Sequence, residues 1–114
     1  MTDEGPLTVR EAQERVDASI RALGGYWPPL ANLARLFEEC GELARVLNQA
    51  YGPKLRKPGE AIVTASEELG DALYVLLVLA NSLDLDAETT LANALSKVAA
   101  RVPAQPSDTD ESSS

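Results

Sequence analysis

From Ala72 to Ala80 the chain reads ALYVLLVLA, and this run narrows what the chain can become. It is well short of the roughly 20 apolar residues needed to cross a bilayer. Leu73, Leu76, Leu77 and Leu79, with Tyr74, leave a helix through it apolar on nearly every side. A helix of that kind is buried against several neighbours. No alternating strand pattern occurs anywhere in the chain, so those neighbours are helices too.

Their limits are punctuated. TVRE, Thr8 to Glu11, is a capping box, in which the Thr8 side chain accepts from the Glu11 N–H and Glu11 reaches back. Val9, Ala12, Val16, Ile20 and Leu23 follow at helical spacing until Gly24 and Gly25 stop the helix. Pro28 and Pro29 mark entry to a second helix, because proline is tolerated in a first turn. Gly52 and Pro53 end it, and KLRKPGE is a short basic loop. A third helix is predicted from about Glu60 to Ser82. Asp86 is a good N-cap for a fourth, carrying Leu91, Ala94, Leu95 and Val98, and Pro103 closes it. The fold class predicted is all-α, four main helices in one domain over 1–102. A polar, acidic and disordered tail is expected over 103–114. So short a chain buries a modest core, and the all-round apolar third helix predicts at least a dimer, the bundle being completed by oligomerisation.

Composition excludes several chemistries. Ten Lys and Arg against eighteen Asp and Glu leave a net charge of −8. That surface repels nucleic-acid backbones, and no basic stripe offsets it, so no nucleic-acid polymer is expected as partner. The opening MTDEGPLTVREAQ lacks the basic and then apolar pattern of a secretory leader. With the lone Cys40 this predicts a cytoplasmic protein that uses no membrane and no disulfide. Histidine is absent, which removes a His base, His-ligated zinc and the Glu-x-x-His di-iron bundle. Any acid–base or metal chemistry falls mainly to carboxylates.

Two carboxylate motifs are available: EECGEL, Glu38 to Leu43, and EELGDAL, Glu67 to Leu73. Positions i, i+1 and i+4 of a helix fall within an arc of about 100°. Glu38, Glu39 and Glu42 therefore share one side of the second helix, and Glu67, Glu68 and Asp71 one side of the third. Both triplets lie beside apolar residues rather than opposite them. A solvated acidic face accounts for one such motif; two at matched spacing favour a site for a divalent, oxygen-loving cation such as Mg²⁺. Gly41 and Gly70 each cost about 1 kcal/mol against alanine in a helix interior, and close helix approach beside the site is the expected return.

EECGE followed by EELGD resembles the E-x-x-E…E-x-x-D pattern of the MazG-like nucleotide pyrophosphohydrolases, the all-α NTP pyrophosphatase superfamily. YWPPLANLARLFEECGELARVLNQAYGPK and EELGDALYVLLVLANSLDLD are similar to a small single-domain branch of it, over about Leu7 to Arg101. The resemblance implies hydrolysis of nucleoside triphosphates, often deoxy or non-canonical, between the α- and β-phosphates, which cleanses the nucleotide pool. Mg²⁺, with Mn²⁺ as substitute, would be held by Glu39, Glu42, Glu68 and Asp71. Glu38 would ligate a second ion or orient the attacking water. Glu67 has no fixed family role and reads as a solvated or neighbouring acid. Active sites in the superfamily lie in bundles assembled from several subunits, which implies a homodimer or homotetramer.

Other residues carry weaker signals. Lys54, Arg56 and Lys57 form the basic cluster and suit either phosphate contact or a solvated loop. Lys97 and Arg101 resemble a Lys…Arg pair of positions on the family's last helix, and Lys97 suits a phosphate contact or a surface ion-pairing role. Trp27 offers a face for stacking on a base, with core packing as the alternative. Asn81 suits a base or sugar contact, or a helix-end hydrogen bond. Cys40, among carboxylates, reads as packing rather than as a nucleophile. The branch's basic, Trp-containing C-terminal segment is replaced here by VPAQPSDTDESSS. The rival functions are phosphoribosyl-ATP pyrophosphohydrolase, which shares the acid spacing, and a non-catalytic helical module that binds nucleotide or protein.

Overall fold

Each helix end that the structure describes has a local chemical cause. The computed structural model describes residues 5–51 and 58–103, except the side chains of 50–51 and 58–62. Within them α1 spans Val9–Ala22, α2 Pro29–Tyr51, α3 Pro58–Ser82 and α4 Ala87–Arg101, and no strand forms among the described residues. The predicted all-α class and the four helices are observed. Apart from Pro103, the predicted tail lies outside the described residues.

The Glu11 N–H donates to Thr8 Oγ1 and the Thr8 N–H to Glu11 Oε1, each at 3.0 Å, closing the capping box. At the other end of α1, Gly25 N–H donates to the Ile20 carbonyl at 2.9 Å and Gly24 N–H to that of Arg21 at 3.3 Å. This pairing needs a left-handed residue after the cap, and Gly24, at φ +115°, supplies it. α3 ends in the same way. Leu85 N–H reaches the Ala80 carbonyl at 2.9 Å while Asp84 takes φ +56°, a region that Asp visits more readily than most residues. Asp86 then caps α4, accepting from the Thr89 N–H at 3.1 Å. α2 and α3 both start on proline. The third helix therefore begins at Pro58, ahead of the predicted Glu60, because the missing N–H has no role in a first turn.

α3 is the central element. It packs along α2 and against α1, while α4 packs against α1. Val75 and Val78 are 1% exposed, and Val16 and Ile20 of α1 close on Val78 with Tyr26, Tyr74 and Leu77 around them. Gln13 of α1 is buried and holds the α3–α4 turn at two points. Its Nε2 donates to the Leu85 carbonyl at 2.6 Å, and its Oε1 accepts from the Ala87 N–H at 2.8 Å. Arg10 adds an ion pair to Asp86 at 3.0 Å.

Much apolar surface is left outside this core. Leu69, Leu73 and Leu76 line an exposed flank of α3, and Leu91, Leu95 and Val98 repeat along α4, which buries no residue. Among the described residues, the helix expected to be covered on several sides packs against α2 and α1 and leaves Leu69, Leu73 and Leu76 exposed. No helix among the described residues is long and apolar enough to cross a membrane.

Candidate functional site

The seam between α2 and α3 sets a group of acids beside buried positions. Asn32 and Val46 are its buried positions on α2; Ala72, Val75 and Val78 are those on α3. Glu39 rises from α2 between its two buried positions, and Glu68 and Asp71 rise from α3 just before Ala72, each of the three offering a carboxylate oxygen within 4.8 Å of the other two. Glu39 and Glu68 are half-buried, and Asp71 is exposed. Three hard oxygen donors drawn this close from two rigid helices fit Mg²⁺, which takes oxygen ligands at about 2.1 Å and accepts water in its remaining positions. Burial and the charges of Asp71, Glu42, Glu39 and Glu67 push the Glu68 carboxyl above its ordinary value. A cation would relieve that repulsion.

The five predicted acids are not equivalent. Glu42 is exposed and its Oε1 accepts from Arg45 Nη2 at 2.6 Å, which draws it aside from the other three. Glu38 and Glu67 each precede a seam residue by one position and so turn about 100° away from it; both are exposed. The close approach expected at Gly41 and Gly70 does not occur within the chain, because a Cβ at either would meet nothing within 4 Å. Each glycine stands two positions from a seam acid, about 200° around its helix, and faces outward. Cys40, expected to pack, is likewise exposed.

Trp27 is 58% exposed at the entry to α2 and borders a cavity of about 120 Å³ with Tyr26, Asn32, Arg35 and Val78. Asn32 is 2% exposed, and its Nδ2 donates to the Trp27 carbonyl at 3.2 Å, pinning that loop to the helix. Asn81 stands farther along α3 and donates from Nδ2 to the Gln13 carbonyl at 3.2 Å. Lys97 and Arg101 are exposed on α4, the helix that packs against α1. Lys54, Arg56 and Lys57 lie outside the described residues. Sequence reasoning missed Arg45 and Asn32. Their signal was helical spacing from known acids, three positions after Glu42 and about two turns before Glu39.

A family model for the MazG nucleotide pyrophosphohydrolase domain matches residues 28–105, which contain all five predicted acids. The chain is 49% identical over 82 residues to the uncharacterised protein YpjD of Bacillus subtilis strain 168, a match covering 71% of this chain and 74% of that protein. The crystal structure of a Bacillus-conserved MazG protein, a nucleotide pyrophosphohydrolase, aligns with a TM-score of 0.72 at 41% identity, covering 83% of this chain and 93% of that one. The crystal structure of YpjD from Bacillus subtilis aligns with a TM-score of 0.72 at 44% identity, covering 85% and 97%.

Proposed function

The chain belongs to the MazG nucleotide pyrophosphohydrolase family and is a hydrolase of nucleotide pyrophosphate bonds, and from that premise we propose a Mg²⁺-dependent reaction on nucleoside triphosphates. The bond cut is the α–β anhydride of deoxy or non-canonical triphosphates, giving monophosphate and pyrophosphate and clearing such nucleotides from the pool. Mn²⁺ substitutes for Mg²⁺. The observation that carries this reading is the convergence of Glu39, Glu68 and Asp71.

In this reading Glu39, Glu68 and Asp71 hold the cation, Glu42 completes the set by turning from Arg45, and Glu38 holds a second ion or orients water. When bound, the divalent cation supplies positive charge that offsets the triphosphate and makes water a better nucleophile. The remaining work is positioning. Trp27 stacks on the base beside the cavity at the head of α2, and the Asn32 bond to its carbonyl keeps it there. Asn32 precedes Glu39 by about two turns, ~10 Å along the axis, which leaves room for a sugar between base and α-phosphate. Lys54, Lys57 and Lys97 serve as phosphate contacts, while the amide of Asn81 is engaged in tying α3 to α1. The uncovered leucines of α3 and α4 support assembly into a homodimer or homotetramer.

The test is to incubate the protein with Mg²⁺ and a panel of canonical, deoxy and oxidised triphosphates and phosphoribosyl-ATP, and to follow monophosphate and pyrophosphate release. Release from deoxy or oxidised triphosphates, lost in Glu42→Gln and Asp71→Asn, is expected. No turnover on any triphosphate would sink the reading. Turnover indifferent to both substitutions would sink the site.

A further inference from the structure

Arg45 has no part in the ligand set, yet among the described residues it is the one cation paired with a site acid. Its Nη2 lies 2.6 Å from Glu42 Oε1, and its guanidinium also feels the charge of Glu68 across the seam. Both members of the pair are substantially exposed, at 66% for Arg45 and 48% for Glu42, so the guanidinium can change partners without disturbing the core. Its position along α2 has a direction. Trp27 and its cavity stand at the N-terminal side of Glu39, and Arg45 stands ~9 Å along the axis to the other side, on the flank of the seam, from which its side chain reaches Glu42. A triphosphate whose base sits near Trp27 and whose α-phosphate sits at the acids points its β- and γ-phosphates toward Arg45.

We propose that Arg45 exchanges partners, neutralising Glu42 when no divalent cation is bound and turning to the pyrophosphate end of the substrate when the cation arrives. This rests on the metal-dependent reading above. Two effects follow from the charges alone. Before substrate binds, a guanidinium beside Glu42 opposes a second positive charge at the same carboxylates, so it weakens metal binding. After substrate binds, a planar fork of N–H donors beside phosphate oxygens forms charge-assisted hydrogen bonds, so it strengthens the ternary complex. Arg45 thereby makes metal and triphosphate bind better together than apart.

The experiment compares wild type with Arg45→Gln by calorimetric titration, with circular dichroism melting to verify that the exposed substitution leaves the fold intact. Mn²⁺ added to the protein alone should bind Arg45→Gln about two- to fivefold more tightly, the size of an exposed ion pair removed. Inorganic pyrophosphate added at saturating Mn²⁺ should bind it about tenfold more weakly, whereas a nucleoside monophosphate should bind both proteins equally. Unchanged or weaker Mn²⁺ binding overturns the exchange, and so does unchanged pyrophosphate affinity or an equal loss for the monophosphate. A wild type that binds no Mn²⁺ overturns the metal reading itself, and this inference with it. A wild type that binds Mn²⁺ and cleaves triphosphates, with Arg45→Gln indistinguishable from it, overturns only the role of Arg45.

Discussion

Glu39 and Asp71 stand on different helices, and their carboxylate oxygens come within 4.8 Å of each other. Two negative charges at that separation repel, and Glu68 adds a third. A ligand that binds only this folded arrangement stabilises it by mass action, about 2.7 kcal/mol at a hundred times its Kd. Differential scanning calorimetry should show Tm rising with Mg²⁺ or Mn²⁺, and the rise should shrink in Glu39→Gln. A curve indifferent to millimolar metal would count against the whole ligand set.

Two neighbouring acids test the proposed ligand set. Glu68 faces the seam, and Glu67, about 100° around the helix, is exposed. Glu68→Gln should lower kcat on the order of 10²-fold, as expected when charge stabilisation in a phosphoryl-transfer site is lost. Glu67→Gln should change it by less than about threefold, since it removes only an exposed charge screened by solvent. Equal losses would mean that the motif acts as an undivided acidic face.

The turn between α3 and α4 is predicted to depend on one amide side chain. Gln13→Ala removes the part-buried bonds to Leu85 and Ala87, at a cost of roughly 1–2 kcal/mol for the pair. Urea denaturation should report that loss. Hydrogen exchange should place it locally, with the Ala87 amide losing protection first. Val78→Ala, in the core itself, should cost on the order of 2 kcal/mol by lost burial and a residual cavity.

The same corner of the fold predicts an acid dependence. Hydrogen bonds from Arg10 and then Thr89 hold the Asp86 carboxyl down from 3.8 to about 2. The folded chain therefore binds this proton less tightly than the unfolded one. Its contribution to stability is present above pH 3.8 and is lost as pH falls through about 2. Wild type should melt above Asp86→Asn at neutral pH, and the gap should close near pH 2. A gap that persists there would assign the stabilisation to the cap geometry rather than to the charge.

The apolar flank of α3 predicts assembly. Leu73 and Leu76 are each about half exposed in one chain. If a second copy covers them, Leu73→Glu or Leu76→Glu buries a charge in the interface and should shift the mass toward monomer in light scattering. Gln13→Ala, remote from that flank, should leave the mass unchanged. A wild type that is monomeric at tens of micromolar would refute the assembly.

Local chemistry was legible in the sequence wherever it depends on residues a few positions apart. The capping box at Thr8 and Glu11, the glycine stop after α1, the Asp86 cap and the two acidic faces all rest on spacing along one helix, and spacing is what a sequence states. The sequence could place Glu39 on one face and Glu68 with Asp71 on another. It could not bring the faces together, because their register across the seam is decided by how Val46, Ala72, Val75 and Val78 pack. Nor could it show that Glu42 turns to Arg45: the i,i+3 spacing allows the pair, but the choice between seam and neighbour belongs to the folded electrostatics. Gly41 and Gly70 were misread for the same reason: a glycine reports freedom, and only the tertiary structure says which way it faces. The sequence by itself determined four helices, the caps of α1 and α4, and two acidic faces. The packing of α2 on α3 decided which acids meet, because contacts between distant segments follow from the mutual burial of apolar surface, which no single helix contains.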